Sequence, residues 1–214
     1  MSVRLLLVTD LGAADLAETE RAARAVLEIV DPRVVALAVR DHDAPARVRA
    51  ELARSLLSVA RPRGARVIVH DRLDLARAVD ADGVQLGERS VAVADARALL
   101  GAHAWIGRSC HDERGLREAR AQAVDAVTLS PLFASPGKGP PLGAERFAAL
   151  RATVPDLAVL ALGGVAAENA VAATAAGATG LAMIRGWLRA DRDALERIAA
   201  CVRSTEALPE IPAD

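Results

Sequence analysis

The chain has 214 residues, of which 52% are hydrophobic and 26% charged. That suffices for one sizeable core, is short for two independent domains and is too apolar for a disordered chain. Lys and Arg (27) nearly balance Asp and Glu (28), which speaks against nucleic-acid binding, and no apolar run approaches a membrane span.

Taken in chain order, short apolar runs alternate with alanine-rich helical stretches. Strand Val3–Val8 opens the chain, with no signal peptide's basic start or small-residue cleavage site. Helix Ala14–Ile29, strand Val34–Val39 and helix Ala44–Ala60 follow, with Asp43 placed to cap the latter and Ala44-Pro45 in its first turn. Strand Arg66–Val69 leads to helix Asp74–Val79, strand Gly83–Leu86 to helix Val93–Leu100, and strand Trp105–Gly107 to helix Glu113–Gln122. Strand Ala126–Ser130 then precedes a long loop and helix Ala144–Val154. Strand Ala158–Leu162 runs to helix Ala167–Ala176, which Gly177 is placed to end, and strand Gly180–Ile184 to helix Asp191–Val202.

This is the rhythm of βα units around a parallel sheet, with strands buried on both faces. After the first strand comes Thr9-Asp10-Leu11-Gly12, with no G-x-G-x-x-G turn. Eight units without that fingerprint favour a closed barrel over an open doubly wound sheet. The expected fold is therefore α/β, a single (β/α)8 TIM barrel over residues 1–206, with a frayed tail over 207–214. Cys110 and Cys201 are far apart and read as reduced thiols of a cytoplasmic protein.

Catalytic groups of such a barrel gather where each strand meets its following loop. Those positions hold Thr9-Asp10, Arg40-Asp41-His42, His70-Asp71, Gly87-Glu88-Arg89-Ser90, Ser109-Cys110-His111, Ser130 through Lys138, Gly163-Gly164 and Arg185-Gly186. Cations, a carboxylate, small hydroxyls and glycines together suit an anionic ligand. Lys138 is the only lysine in a chain that elsewhere uses Arg, and it lies in a loop of a length that is usually functional or disordered. Gly163-Gly164 would let a phosphate approach backbone N–H groups, with a helix N-terminus behind it. Ile184 and Arg185 would supply the other half of that site. Arg40 and Asp71 read either as a phosphate and Mg2+ pair or as an ordinary ion pair between strand ends. His42, His70 and His111 come from three strands with no close-spaced ligand pair, which disfavours zinc. Cys110 reads as buried and inert.

These residues resemble the thiamine phosphate synthase family and its related thiazole tautomerases. The likeness runs from Leu6-Leu7-Val8-Thr9-Asp10 to about Val202. Its landmarks include Arg40-Asp41-His42, Val69-His70-Asp71-Arg72, Asp82-Gly83-Val84-Gln85-Leu86-Gly87, Gly107-Arg108-Ser109-Cys110-His111, Ser130-Pro131-Leu132-Phe133, Leu162-Gly163-Gly164-Val165 and Ala176-Gly177-Ala178-Thr179-Gly180. The resemblance implies a transferase that joins hydroxymethylpyrimidine diphosphate to a thiazole phosphate and releases pyrophosphate. It implies that Arg40, Ser109 and Lys138 touch the diphosphate and that Asp71 holds Mg2+. It further implies that Ser135, Pro136 and Gly137 flank the thiazole phosphate, which Gly163, Gly164, Ile184 and Arg185 bind largely through backbone N–H groups.

The chain departs from the family pattern at several places. Ala38 and His42 replace a glutamine and a lysine around Arg40, His70 stands for an asparagine before Asp71, and Ser90 stands for a second acid. Glu88 is a candidate replacement for that acid, and His42 and His70 become candidate substrate contacts. Two other readings stay open: a thiazole tautomerase, although Pro131 occupies its usual histidine position, and a non-catalytic phosphate-binding barrel. The expected partners are small phosphorylated molecules, with no nucleic acid and no membrane, and a homodimer is left open.

Overall fold

Leu5 and Leu7 face one way and Leu6 and Val8 the other, yet none of the four is exposed, because β1 (Leu5–Val8) is covered on both sides. In the computed structural model, which describes residues 2–205, the same holds around a closed barrel of eight parallel strands in sequence order, with β8 pairing back to β1. The other strands are β2 (Val35–Val39), β3 (Arg66–His70), β4 (Gly83–Leu86), β5 (Trp105–Cys110), β6 (Ala126–Leu129), β7 (Val159–Ala161) and β8 (Gly180–Met183). The helices are α1 (Leu16–Ile29), α2 (Ala46–Ala60), α3 (Leu73–Ala78), α4 (Val93–Leu100), α5 (Glu113–Ala121), α6 (Gly143–Ala152), α7 (Ala170–Ala175) and α8 (Arg192–Ser204). The tail expected over 207–214 lies outside the described residues.

Alternation along the strands divides the apolar residues between two cores. Leu5, Leu7, Val35, Leu37, Val39, Val67 and Val69 pack outward against the helices. Leu6, Val8, Ala36, Ala38, Ile68, Trp105, Leu160 and Ala182 pack inside the barrel. This is why the strands read as continuous apolar runs. Burying each fully enclosed leucine contributes about 1.5–3 kcal/mol.

Local signals set several ends. Asp15 caps α1 in a capping box, its side chain accepting from the Glu18 N–H while Glu18 reaches back to the Asp15 N–H. Gly177, at φ +90, follows α7 as expected. Asp43 does not cap α2. The helix starts after Pro45, whose fixed φ suits a helix entrance, and has no side-chain cap. β5 runs on to Cys110, beyond the expected end at Gly107, because Arg108, Ser109 and Cys110 pair with Val127, Thr128 and Leu129 of β6. α7 is shorter than expected, since 167–169 form a turn before it.

Candidate active site

The C-terminal ends of the strands deliver the polar residues to one mouth. A cavity of about 710 Å3 is lined there by Arg40, His42, His70, Asp71, Ser109 and Lys138, among others. A second recess of about 400 Å3 is lined by Gly164, Val165, Ala166, Arg185 and Gly186 together with Asp10 and Pro136. Arg40, Ser135, Lys138, Gly163 and Ile184 border both spaces. Gly137 is exposed in the loop, at φ +73, and is absent from both linings.

Arg40 is fixed through its backbone. Its N–H donates to Thr9 Oγ1 (3.1 Å), and that hydroxyl donates to Asp41 Oδ2. Asp41 also accepts from the Leu11 N–H (2.5 Å) and adopts φ +28. The Asp41 carboxylate thus ties the end of β1 to the end of β2. Arg40 and Asp71 form no ion pair with each other. Among the described residues neither Arg40 nor Lys138 has an ion-pair partner. Two cations bordering one cavity, neither engaged in an ion pair, favour an anion.

Asp71 follows β3 at φ +61, a left-handed conformation that Asp tolerates better than most residues. Its N–H donates to Gln85 O (3.0 Å), and its Oδ1 accepts from the Gly87 N–H (3.1 Å) and from the Ser90 hydroxyl. Burial pushes the carboxyl up, but the bonds from Ser90 and Gly87 and the nearby imidazoles of His70 and His42 outweigh it. The group sits below the usual 3.8 and is ionised at neutral pH. His70 Nδ1 lies 3.3 Å from Asp71 Oδ2, within attraction range but without hydrogen-bond geometry. Burial lowers the basicity of His70, with Asp71 opposing. The His42 ring stands edge-on to it, with centroids 5.0 Å apart.

Glu88 does not take the place of the missing acid beside Asp71. Its Oε1 is 2.8 Å from His111 Nδ1. Ser90 occupies the position next to the Asp71 carboxylate instead. Cys110 is buried, and desolvation pushes its thiol up to about 12, so it is no nucleophile at neutral pH. Cys201 is also free and buried.

The second recess is built by backbone. Leu132 N–H donates to Leu162 O (2.8 Å) and Phe133 N–H to Gly163 O (3.0 Å), which zips the base of the 130–142 loop to the end of β7. Ser135 and Lys138, farther along this loop, line the recess together with Gly163. Gly164 has φ +65, and a Cβ there would meet Ala134 O at 2.5 Å and Phe133 Cβ at 2.9 Å. Asn169 closes the turn, accepting from the Ala166 N–H (2.9 Å) and donating to Gly164 O (2.8 Å). The expected helix N-terminus does not stand directly behind Gly164, because α7 begins only at Ala170. Arg185 pairs with Asp10 (2.8 Å) while remaining largely exposed. Burial raises the Asp10 carboxyl, but the Arg185 bond and charge prevail and lower it.

Ser130, at the strand end singled out from sequence, also lines the larger cavity, as do Gln85 and Thr128, to which the sequence reading gave no role. A glutamine and a threonine inside otherwise apolar strands were the available signal. Among the described residues, no three His, Cys, Asp or Glu side chains gather as a metal cluster, and no helix is long and apolar enough to cross a membrane.

Comparison with known proteins identifies the family. A family model described as thiamine monophosphate synthase matches residues 5–187. A thiamine-phosphate synthase of Azorhizobium caulinodans is 39% identical over 170 residues, covering 76% of this chain and 80% of that protein. One of Nostoc sp. is 36% identical over 196 residues, covering 90% of this chain but 53% of that longer protein. A solved structure of thiamine phosphate pyrophosphorylase from Pyrococcus furiosus has a TM-score of 0.82 at 27% identity and covers 96% of this chain and 98% of its own. The chain belongs to the thiamine monophosphate synthase family.

Proposed function

We propose that the protein is a transferase that joins hydroxymethylpyrimidine diphosphate to a thiazole phosphate and releases pyrophosphate. One observation carries the reading most: two adjoining spaces share Arg40, Ser135 and Lys138, and both cations lack an ion-pair partner among the described residues. The larger space takes the pyrimidine diphosphate and the smaller the thiazole phosphate. The reaction breaks the C–O bond between the methylene carbon and the diphosphate, which leaves with the electron pair. The thiazole nitrogen then forms the C–N bond. Arg40, Lys138 and the Ser109 hydroxyl stabilise the charge growing on the leaving oxygens. The Gly163–Gly164 backbone, Ile184 and Arg185 hold the thiazole phosphate, so that the nitrogen is presented to the methylene carbon. His42 and His70 contact the pyrimidine side of the larger space.

Asp71 is the residue that would hold Mg2+, through the oxygen not already accepting from Ser90 and Gly87. Asp71 is ionised, and the Ser90 hydroxyl lies on the same carboxylate. Mg2+ is usually held by one or two carboxylates with substrate phosphates and water. When bound there, the ion neutralises charge on the diphosphate. A transferase of small phosphorylated metabolites with two free, buried cysteines fits the cytoplasm. The test is release of inorganic pyrophosphate in step with thiamine phosphate when purified protein receives both substrates. Pyrophosphate release that is independent of the thiazole would contradict the assignment.

A further inference from the structure

We propose that Gln85 is a positioning residue, whose buried amide makes Ser109 a hydrogen-bond donor toward the leaving diphosphate. The inference rests on the transferase reading above. Gln85 lies on β4, opposite His70 of β3 and Gly107 of β5. It is 3% exposed, in a strand whose other residues are Gly83, Val84 and Leu86.

The amide crosses the line of β5 to reach its partners. Its Nε2 lies 3.2 Å from Ser109 Oγ and 3.4 Å from Thr128 Oγ1. The crossing needs Gly107, where a Cβ would overlap both Gln85 Oε1 and the Trp105 ring. Thr128, paired with Ser109 across β5 and β6, donates its hydroxyl to Ser109 Oγ at 3.4 Å.

A serine hydroxyl has one proton and two acceptor sites. Here Ser109 Oγ accepts from Gln85 and from Thr128, so its proton remains for a third partner. Ser109 lines the cavity bordered by Arg40 and Lys138, and a phosphate oxygen is an acceptor only. The reverse amide orientation would give Gln85 Oε1 two hydroxyl donors. It would also turn a Ser109 lone pair toward the anion. Either orientation leaves one end of the amide buried beside Gly107 without a partner, Oε1 in this structure, so the inference rests on the Ser109 and Thr128 contacts and not on that cost.

The test is a double-mutant cycle read by calorimetric titration of inorganic pyrophosphate in the presence of Mg2+. Gln85→Met is compared with wild type, and again in a Ser109→Ala background. Bonds to charged groups are the strong ones, so Gln85→Met and Ser109→Ala are each expected to weaken pyrophosphate on the order of tenfold. The double variant is expected to be no weaker than Ser109→Ala alone. Thr128→Val, nearly isosteric, is expected to show a smaller loss with the same dependence on Ser109, and it carries the test if Gln85→Met does not fold. Losses of equal size with and without Ser109 would mean that Gln85 only supports the barrel, and would overturn the inference. Unchanged affinity in both variants would do the same. Wild-type protein that binds no pyrophosphate would instead sink the transferase reading itself.

Discussion

The Ser90 hydroxyl donates to the Asp71 carboxylate across the ends of β4 and β3, at the position where the family pattern places a second acid. With a neutral hydroxyl there, Asp71 has no second carboxylate beside it among the described residues, since Glu88 turns to His111 instead. Ser90→Asp would add a second. The expected result is a roughly tenfold fall in the Mg2+ concentration giving half-maximal activity, since ligand charge sets affinity for such ions. Without metal the two carboxylates repel, so the melting temperature should drop. An unchanged Mg2+ requirement would remove Asp71 from the metal site.

Lys138 sits in the exposed loop whose base is zipped to β7, and it borders both spaces. Lys138→Ala is expected to lower kcat by about 10^2–10^3-fold, the usual cost of removing one donor to a developing charge. KM for the thiazole phosphate should change far less. Equal kcat in the variant would make Lys138 a surface residue.

Gly164→Val places a side chain against Ala134 O and Phe133 at a positive φ. The thiazole phosphate should then be crowded out of its recess, and its KM should rise at least about tenfold, with some loss of stability from the strained backbone. Equilibrium binding of the thiazole phosphate alone reads this directly. Native affinity would remove the recess from the account.

His70 gives a pH signature. Burial holds its folded basicity below the ordinary 6.5, with Asp71 opposing. The unfolded chain therefore takes the proton first as pH falls. Stability from this group is complete above about pH 6.5 and is lost as pH falls through the lowered folded value, with a slope of at most about 1.4 kcal/mol per pH unit. His70→Asn should flatten the melting temperature against pH in that window. A variant with the same acid slope as wild type would place the loss elsewhere.

The barrel was legible because apolar strands with alanine-rich helices between them leave few alternatives. Strand ends were less legible, and for a physical reason. Arg108-Ser109-Cys110 look like loop residues, but pairing with β6 overrides their polarity. Asp43 has the chemistry of a cap, yet Pro45 sets where α2 starts. In the site, the residues following strands were easy to pick, since topology alone brings them together. Their partners were not. Nothing in the sequence places Glu88 on His111 rather than beside Asp71, or Arg185 on Asp10. Gln85 stood in a family landmark but received no role, because its contacts depend on an amide crossing a glycine on the next strand.

Thiamine phosphate formation from both substrates, measured with Mg2+ and again with a chelator, tests the central claim most directly. The account predicts product and equimolar pyrophosphate with the metal, and a fall to background without it. Saturable binding of the thiazole phosphate with no product under any metal condition would contradict it.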